Sequence, residues 1–181
     1  SGSNLARQEG SHAHYLLPAD DSRMLVSDLG GDCVRKLALD RAGGFRDDGV
    51  AVRLPAGSGP RHAVFSADGR RLHLVGELDG RLYTVQWHPE TADGVVVAAE
   101  PVQPEWTDEM LLAHIVRAED RLIVGVRGAD RIATCRLGPD GLPGPADGID
   151  LPGSWPRHHV VTGGWLAVAQ QNRGGVVVLD D

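Results

Sequence analysis

Short apolar runs separated by polar turns recur along the whole chain, and helical periodicity is almost absent. Pairs such as Asp79-Gly80 and Gly163-Gly164 separate neighbouring runs. These pairs tolerate positive φ and are strong signals of β-hairpins. The pattern predicts an all-β chain of antiparallel hairpins, and only residues Thr107 to His114 indicate a short helical turn.

One unit recurs four times, with anchor residues separated by 47, 53 and 43 residues: His14, Arg61, His114 and Arg157. Each copy contains three apolar runs, and a fourth run follows the first three copies. This period and strand number are typical of a β-propeller blade. The sequence predicts about four four-stranded antiparallel blades in a single partial propeller domain, residues 1–181, with blades at roughly 11–55, 59–101, 111–152 and 155–181.

The predicted arc of blades does not close on itself. The fourth copy ends after its third run, Val176 to Leu179. An open arc leaves strand edges and the faces between blades uncovered. We therefore expect a segment outside this sequence, or assembly with another copy, to complete a propeller ring.

Hairpin symmetry predicts where the polar ends of the repeats meet, because residues equidistant from an antiparallel turn face each other. It gives one polar pair in each blade: His14 and Asp28, Arg61 and Glu77, His114 and Arg127, and Arg157 and Gln171. The first strands of a propeller surround its channel, so these pairs are expected to form an anion-binding rim. The alternative is that strand ends are polar because they reach water.

The charge pattern narrows the expected partners. The net charge is −7 and Lys36 is the only lysine, so no basic face for nucleic acid is expected. Arginine, which supplies nearly all the positive charge, suits planar oxyanions. No apolar run is long enough to cross a membrane. Cys33 and Cys135 fall in similar places in two repeats, and equivalent positions in separate blades do not meet, so both are expected to be reduced thiols. Together with a polar N-terminal stretch, this predicts a cytoplasmic protein.

The sequence predicts neither a metal nor a cofactor. His12 and His14 have a spacing that metal sites also use, but no acidic or cysteine ligand set lies nearby. A P-loop, a dinucleotide-binding fingerprint and an HExxH motif are all missing from the sequence. Residues 57–59 lack the strand–turn–helix context of a serine nucleophile elbow.

The stretch from Gly59 to Leu78 resembles the hallmark of the seven-bladed lactonase propellers. That family includes propeller-type 6-phosphogluconolactonases and carboxy-cis,cis-muconate cyclases. Residues 7–14, 155–158 and 169–172 resemble further motifs of the family, with Ser11 where proline is usual. The resemblance covers nearly the whole chain, and it implies that these blades belong to a seven-bladed ring.

The resemblance to the muconate cyclase branch implies three catalytic residues: His14, Arg61 and Glu77. Glu77 would act as general base or proton carrier with His14 assisting, and Arg61 would hold an anionic group together with Arg157. The rim residues expected to bind substrate are Arg157, Arg127, Asp28, Gln171 and His12.

Three functions remain open from the sequence. The leading expectation is a hydrolase that opens a phosphorylated or carboxylated sugar lactone, a small-molecule substrate. An intramolecular lyase of the muconate cyclase kind is the second. A non-catalytic propeller that binds a small anion or a protein is the third, because the fold does not fix the function.

Overall fold

The computed structural model describes residue 4 and residues 6–180, which form four antiparallel sheets with their strands in chain order. Blade 1 contains β1 (Ala13–Pro18), β2 (Arg23–Asp28), β3 (Cys33–Leu39) and β4 (Phe45–Arg53). Blade 2 contains β5 (Pro60–Phe65), β6 (Arg71–Gly76), β7 (Arg81–His88) and β8 (Asp93–Pro101). Blade 3 contains β9 (Leu111–Ala118), β10 (Arg121–Arg127), β11 (Arg131–Leu137) and β12 (Pro143–Asp150). Blade 4 contains β13 (Pro156–Thr162), β14 (Trp165–Gln170) and β15 (Gly175–Asp180).

The predicted all-β class and the four propeller blades are confirmed. Between Thr107 and His114 the chain makes a turn, in which the Met110 amide donates a 2.9 Å hydrogen bond to the Thr107 carbonyl. Strand β9 then begins at Leu111, so the helical turn predicted there is only a β-turn before a strand. No helix long and apolar enough to cross a membrane occurs among the described residues.

The innermost strand of each blade packs against the innermost strand of the next. Strands β1, β5, β9 and β13 lie side by side, and β4, β8 and β12 form the outer edges of the three complete blades. This arrangement brings the first strands of all four repeats to one central face. Residues far apart in the sequence can therefore meet there.

The hydrophobic core is divided into three layers, each between two successive blades. Leu25 and Val52 of blade 1 meet Leu74 and Tyr83 of blade 2 in the first layer. The same side-by-side packing joins blades 2 and 3, and blades 3 and 4. Burial of these side chains removes apolar area from water and holds the blades in register.

Blade 4 presents an uncovered apolar face. Its exposed apolar side chains are Val160, Trp165, Val176 and Val178, which are between 49% and 65% exposed. A patch of this kind on a β-sheet is typical of a surface that contacts another part of a protein.

Gly80, in the turn before β7, tests how tightly the turns pack. It has a φ of 70°, and a Cβ added there would lie 2.3 Å from Trp106. Gly69 has a nearly equal φ of 68° but open space around it. Gly69→Ala should therefore cost about 1 kcal/mol of backbone strain, and Gly80→Ala about 2–5 kcal/mol because the clash adds to it. Urea unfolding of the two variants measures the difference, and equal losses would contradict close packing at Gly80.

Candidate active site

The inner strand of blade 1 is irregular at its site residue. Asp28 pairs with Ala13, and His14 is the bulged residue between Ala13 and Tyr15. The predicted pairing of His14 with Asp28 is therefore wrong by one residue. A bulge re-aims the side chain that it carries and is common beside active sites.

The other blades depart from the predicted pairing in the same way. In blade 4 the predicted pair of Arg157 and Gln171 does not form. Pro156 pairs with Gln170, and Arg157 is the bulged residue that follows. In blade 3, Arg127 pairs with Leu111 and not with His114. In blade 2, Arg61 and His62 share one bulge, so Arg61 does not face Glu77 on the ladder. Each bulge interrupts the ladder on the central face.

Glu77, which follows β6, is the centre of the site, and its side chain is 1% exposed. Its Oε1 accepts a 2.5 Å hydrogen bond from Arg7 Nη2. Its Oε2 lies 2.6 Å from Arg61 Nε and 2.9 Å from Arg127 Nη2. We call these four residues the Glu77 cluster. Three guanidinium groups surround one carboxylate, so the cluster carries a net positive charge.

The charges of the cluster act against the effect of burial on Glu77. Burial acts to raise the pKa of Glu77, but the charges of Arg127 and Arg61 and the hydrogen bond from Arg7 outweigh it and lower that pKa. Burial lowers the pKa of Arg61 to about 10, although Glu77 opposes the change. Glu77 and Arg61 are therefore both charged at neutral pH, and the carboxylate is a weak proton acceptor.

The two buried arginines are held by the backbone of blade 3. The side chains of Arg61 and Arg127 are 3% and 4% exposed. Arg61 Nη1 donates to the Ala113 carbonyl and Arg127 Nη2 to the Leu112 carbonyl, both at 2.8 Å. The Arg127 guanidinium also lies 5.8 Å from the ring centre of Trp155, a cation–π contact. These contacts fix both guanidinium groups against Glu77.

Three groups at the cluster reach solvent. The side chains of Arg7 and His14 are 41% and 26% exposed, and Arg157 is also exposed. His14 Nε2 lies 3.8 Å from Glu77 Oε2. Burial and the charge of Arg61 lower the pKa of His14, and the opposing effect of Glu77 is smaller. His14 is therefore neutral at neutral pH and can accept a proton.

Three predicted substrate-binding residues have their recorded contacts outside the Glu77 cluster. Asp28 is 3% exposed and accepts 2.8 Å hydrogen bonds from Ser11 Oγ and the His12 amide, so it anchors the segment before β1. His12 is exposed on that segment. Gln171 is exposed, and its amide donates to the Trp155 carbonyl at 3.0 Å. Their role in binding stays a prediction.

Two aspartates hold the segments that lead into the site arginines. Asp32 Oδ1 accepts a 2.9 Å hydrogen bond from the Gly59 amide, and Asp130 Oδ1 accepts one of 2.8 Å from the Trp155 amide. Gly59 and Trp155 each stand two residues before a site arginine, and both have positive φ. The turns of one blade thus position the site residues of the next.

Arg7 belongs to the cluster but was not among the predicted site residues. The segment that carries it is fixed by Gln8, which is fully buried and donates to the Leu29 carbonyl and to Asp32 Oδ1. The available signal was the position of Arg7 in the family-like motif at residues 7–14. In the described part of the chain, no group of three or more His, Cys, Asp or Glu side chains could hold a metal ion.

Antiparallel blades with a cationic cluster on their central face define a β-propeller with a site suited to an anion. The model of the family "Lactonase, 7-bladed beta-propeller" matches residues 1–180. The chain belongs to this family, and the resemblance seen in the sequence is confirmed.

The curated relatives are distant. An uncharacterized protein of Staphylococcus epidermidis is 30% identical over 145 residues, which cover 75% of this chain and 40% of that protein. A 6-phosphogluconolactonase of Formosa agariphila is 28% identical over 86 residues, which cover 45% of this chain and 24% of that protein. The chain spans less than half the length of these relatives.

Solved structures agree closely with the fold. A protein from Lactobacillus plantarum is 29% identical with a TM-score of 0.89, over 96% of this chain and 52% of that one. The periplasmic gluconolactonase PpgL of Pseudomonas aeruginosa is 25% identical with a TM-score of 0.85, over 96% of this chain and 51% of that one. The four blades correspond to about half of each structure.

Proposed function

We propose that the site hydrolyses a sugar lactone that carries a phosphate or carboxylate group. The observation that carries this proposal is the net positive Glu77 cluster with the partly exposed, neutral His14 beside it. Membership of the lactonase family supports the reaction class, and relatives named as gluconolactonase and 6-phosphogluconolactonase support the substrate class.

In the proposed reaction His14 is the general base. His14 Nε2 takes a proton from water while the water oxygen attacks the lactone carbonyl carbon. The bond between that carbon and the ring oxygen then breaks, and the ring oxygen receives the proton from His14. The exposed Arg7 and Arg157 stabilise the oxyanion and hold the anionic group through charge-assisted hydrogen bonds.

We assign Glu77 a different role from the one expected from the resemblance. Its side chain is 1% exposed and its pKa is lowered by Arg127 and Arg61 against the effect of burial, so it is a poor general base. Its contacts make it a positioning residue that holds the arginines of the cluster and faces His14. Arg61 and Arg127, which are almost wholly buried, act with it.

Arg157→Gln tests the anion contact. A charge-assisted hydrogen bond contributes about 1.5–3 kcal/mol, so KM for 6-phosphogluconolactone should rise about 10- to 100-fold. KM for the uncharged glucono-lactone should change little in this variant. In the control variant Arg173→Gln, which changes an exposed arginine, KM for both lactones should stay unchanged. Equal losses for the charged and uncharged lactones would contradict an anion contact at Arg157.

A second candidate is non-catalytic binding of an anion, which is favoured by the burial of Glu77, Arg61 and Arg127. Turnover of 6-phosphogluconolactone decides between the two functions. Hydrolysis above the spontaneous rate supports the lactonase. Saturable binding of the lactone without hydrolysis supports the binding protein.

We propose that further blades or another copy of the chain cover the apolar face of blade 4. The exposure of Trp165 and Val176, at 52% and 65%, supports this. Size-exclusion chromatography with mass measurement tests it, because a stable monomer of 19.3 kDa would contradict it.

For the compartment we propose the cytoplasm, since both cysteines are buried free thiols. The Pseudomonas aeruginosa relative is named as periplasmic, so the periplasm is the alternative to be tested. Cell fractionation tests the proposal, and recovery of the protein outside the cytoplasm would contradict it.

A further inference from the structure

One histidine from each inner strand lies in a continuous row across the four blades: His14 on β1, His62 on β5, His114 on β9 and His158 on β13. Successive ring centres are 6.1, 5.0 and 3.9 Å apart. The first two contacts are edge-to-face. We call these four side chains the histidine row. It begins beside Glu77, because His14 Nε2 lies 3.8 Å from Glu77 Oε2.

Charged and titratable groups face the row from every neighbouring element. They are Tyr15 on β1, Arg61 on β5, Glu77 after β6 with Arg7 and Arg127 against it, and Arg157 and His159 on β13. Four of these groups are arginines and only one is a carboxylate. The surroundings of the row are therefore strongly positive, and an imidazolium is disfavoured in the protein without an anion.

The interior of the row is the least able to carry a proton. Burial and the charge of Arg61 lower the pKa of His62 to about 3. Burial and the neighbouring histidines, His159 foremost, lower the pKa of His114 to about 2. His14 differs from both because it is partly exposed and is the member of the row that lies against the carboxylate of Glu77.

We propose that an anion bound at the Glu77 cluster places one proton on the histidine row, at His14, while His62 and His114 stay neutral. The bound anion offsets part of the positive charge of Arg61 and Arg157, which together with burial keeps His14 neutral in its absence. Protonated His14 is then in edge-to-face contact with the ring of His62. Repulsion between like charges excludes a second proton on His62. The proposal rests on the same anion site as the proposed function, in which His14 acts as the base only above its pKa in the complex, where it is again neutral.

The coupling has a definite sign. The anion raises the pKa of His14 in the complex above its value in the free protein. Between these two pKa values binding takes up a proton, so affinity rises as pH falls, by up to about tenfold per pH unit for one proton. Above the pKa in the complex and below the pKa in the free protein, affinity is independent of pH.

Nitrogen-15 NMR of the histidine-labelled protein tests the proposal, with sulfate as the probe because it does not titrate near neutral pH. Single substitutions to phenylalanine, which keep a ring at each position, assign the signals. We expect sulfate to convert His14 to imidazolium and to leave His62 and His114 neutral. No sulfate binding, binding without a new imidazolium, or a proton on His62 or His114 would each overturn the proposal.

Sulfate affinity measured across the pH range gives a second readout. The unmodified protein should bind sulfate more tightly as pH falls, and His14→Phe should lose this dependence. His88→Phe, which changes an exposed histidine on β7 outside the row, should keep it. Lactone hydrolysis without proton uptake would overturn this inference alone. Proton uptake on sulfate binding, with no lactone hydrolysis even above the pKa of His14 in the complex, would overturn the proposed function alone.

Discussion

Glu77→Gln is expected to destabilise the protein by about 3–5 kcal/mol, because it leaves buried cations without their counter-charge. Glutamine has nearly the same shape as glutamate, so packing is preserved and only the charge is lost. Arg61 and Arg127 are 3% and 4% exposed and cannot reach water without moving away from the backbone carbonyls that hold them. Denaturant unfolding at neutral pH measures the loss.

The matched control for this variant is Glu105→Gln, which removes the same charge from an exposed side chain outside the cluster. It should change stability little. If both variants lost only a little stability, the buried arginines would not need the charge of Glu77.

Acid should reproduce part of the effect of Glu77→Gln. Arg127 and Arg61 hold the pKa of Glu77 below its ordinary value although burial opposes them. The stabilisation by Glu77 is therefore fully present above the ordinary pKa of a glutamate, and it is lost as pH falls through the lower pKa of the folded state. The Glu77→Gln variant should lack this part of the acid dependence.

The blades could be predicted because burial between them leaves a clear pattern. Strands β6 and β10 are sandwiched between blades and buried on both faces. Strand β10 is therefore a continuous apolar run, and β6 is one except for the buried His73. Strand β12, at the outer edge of blade 3, alternates between more and less exposed positions. Turn residues that tolerate positive φ, such as Gly80 and Gly128, separate these runs. Packing and turn chemistry therefore both appear in the local sequence.

The pairing within the site could not be predicted in the same way. Hairpin symmetry assumes an unbroken ladder, whereas bulges at His14 and Arg157 shift the pairing by one residue. A bulge without glycine has no turn-like signature in the sequence. The contact between Arg7 and Glu77 joins residues 70 positions apart and depends on how the segment before β1 packs. Both features are set by the assembled blades.

His14→Gln is expected to lower kcat for lactone hydrolysis by about 10²- to 10⁴-fold, the usual contribution of a general base. Stability should change little, because the His14 side chain is partly exposed and its contact with Glu77 at 3.8 Å is longer than a hydrogen bond. Steady-state kinetics with 6-phosphogluconolactone measures the effect. His88→Gln is the control, since it replaces an exposed histidine on β7.

The pH profile of kcat separates His14 from Glu77 as the base. A base must be unprotonated, so activity falls as pH drops through the pKa of the base in the substrate complex. If His14 is the base, an anionic substrate raises that pKa above its value in the free protein, so the loss lies at higher pH than a glutamate would give. If Glu77 is the base, the arginines around it hold the loss below the ordinary pKa of a glutamate. Loss of activity only in that acidic range, with kcat retained in His14→Gln, would transfer the role of base to Glu77.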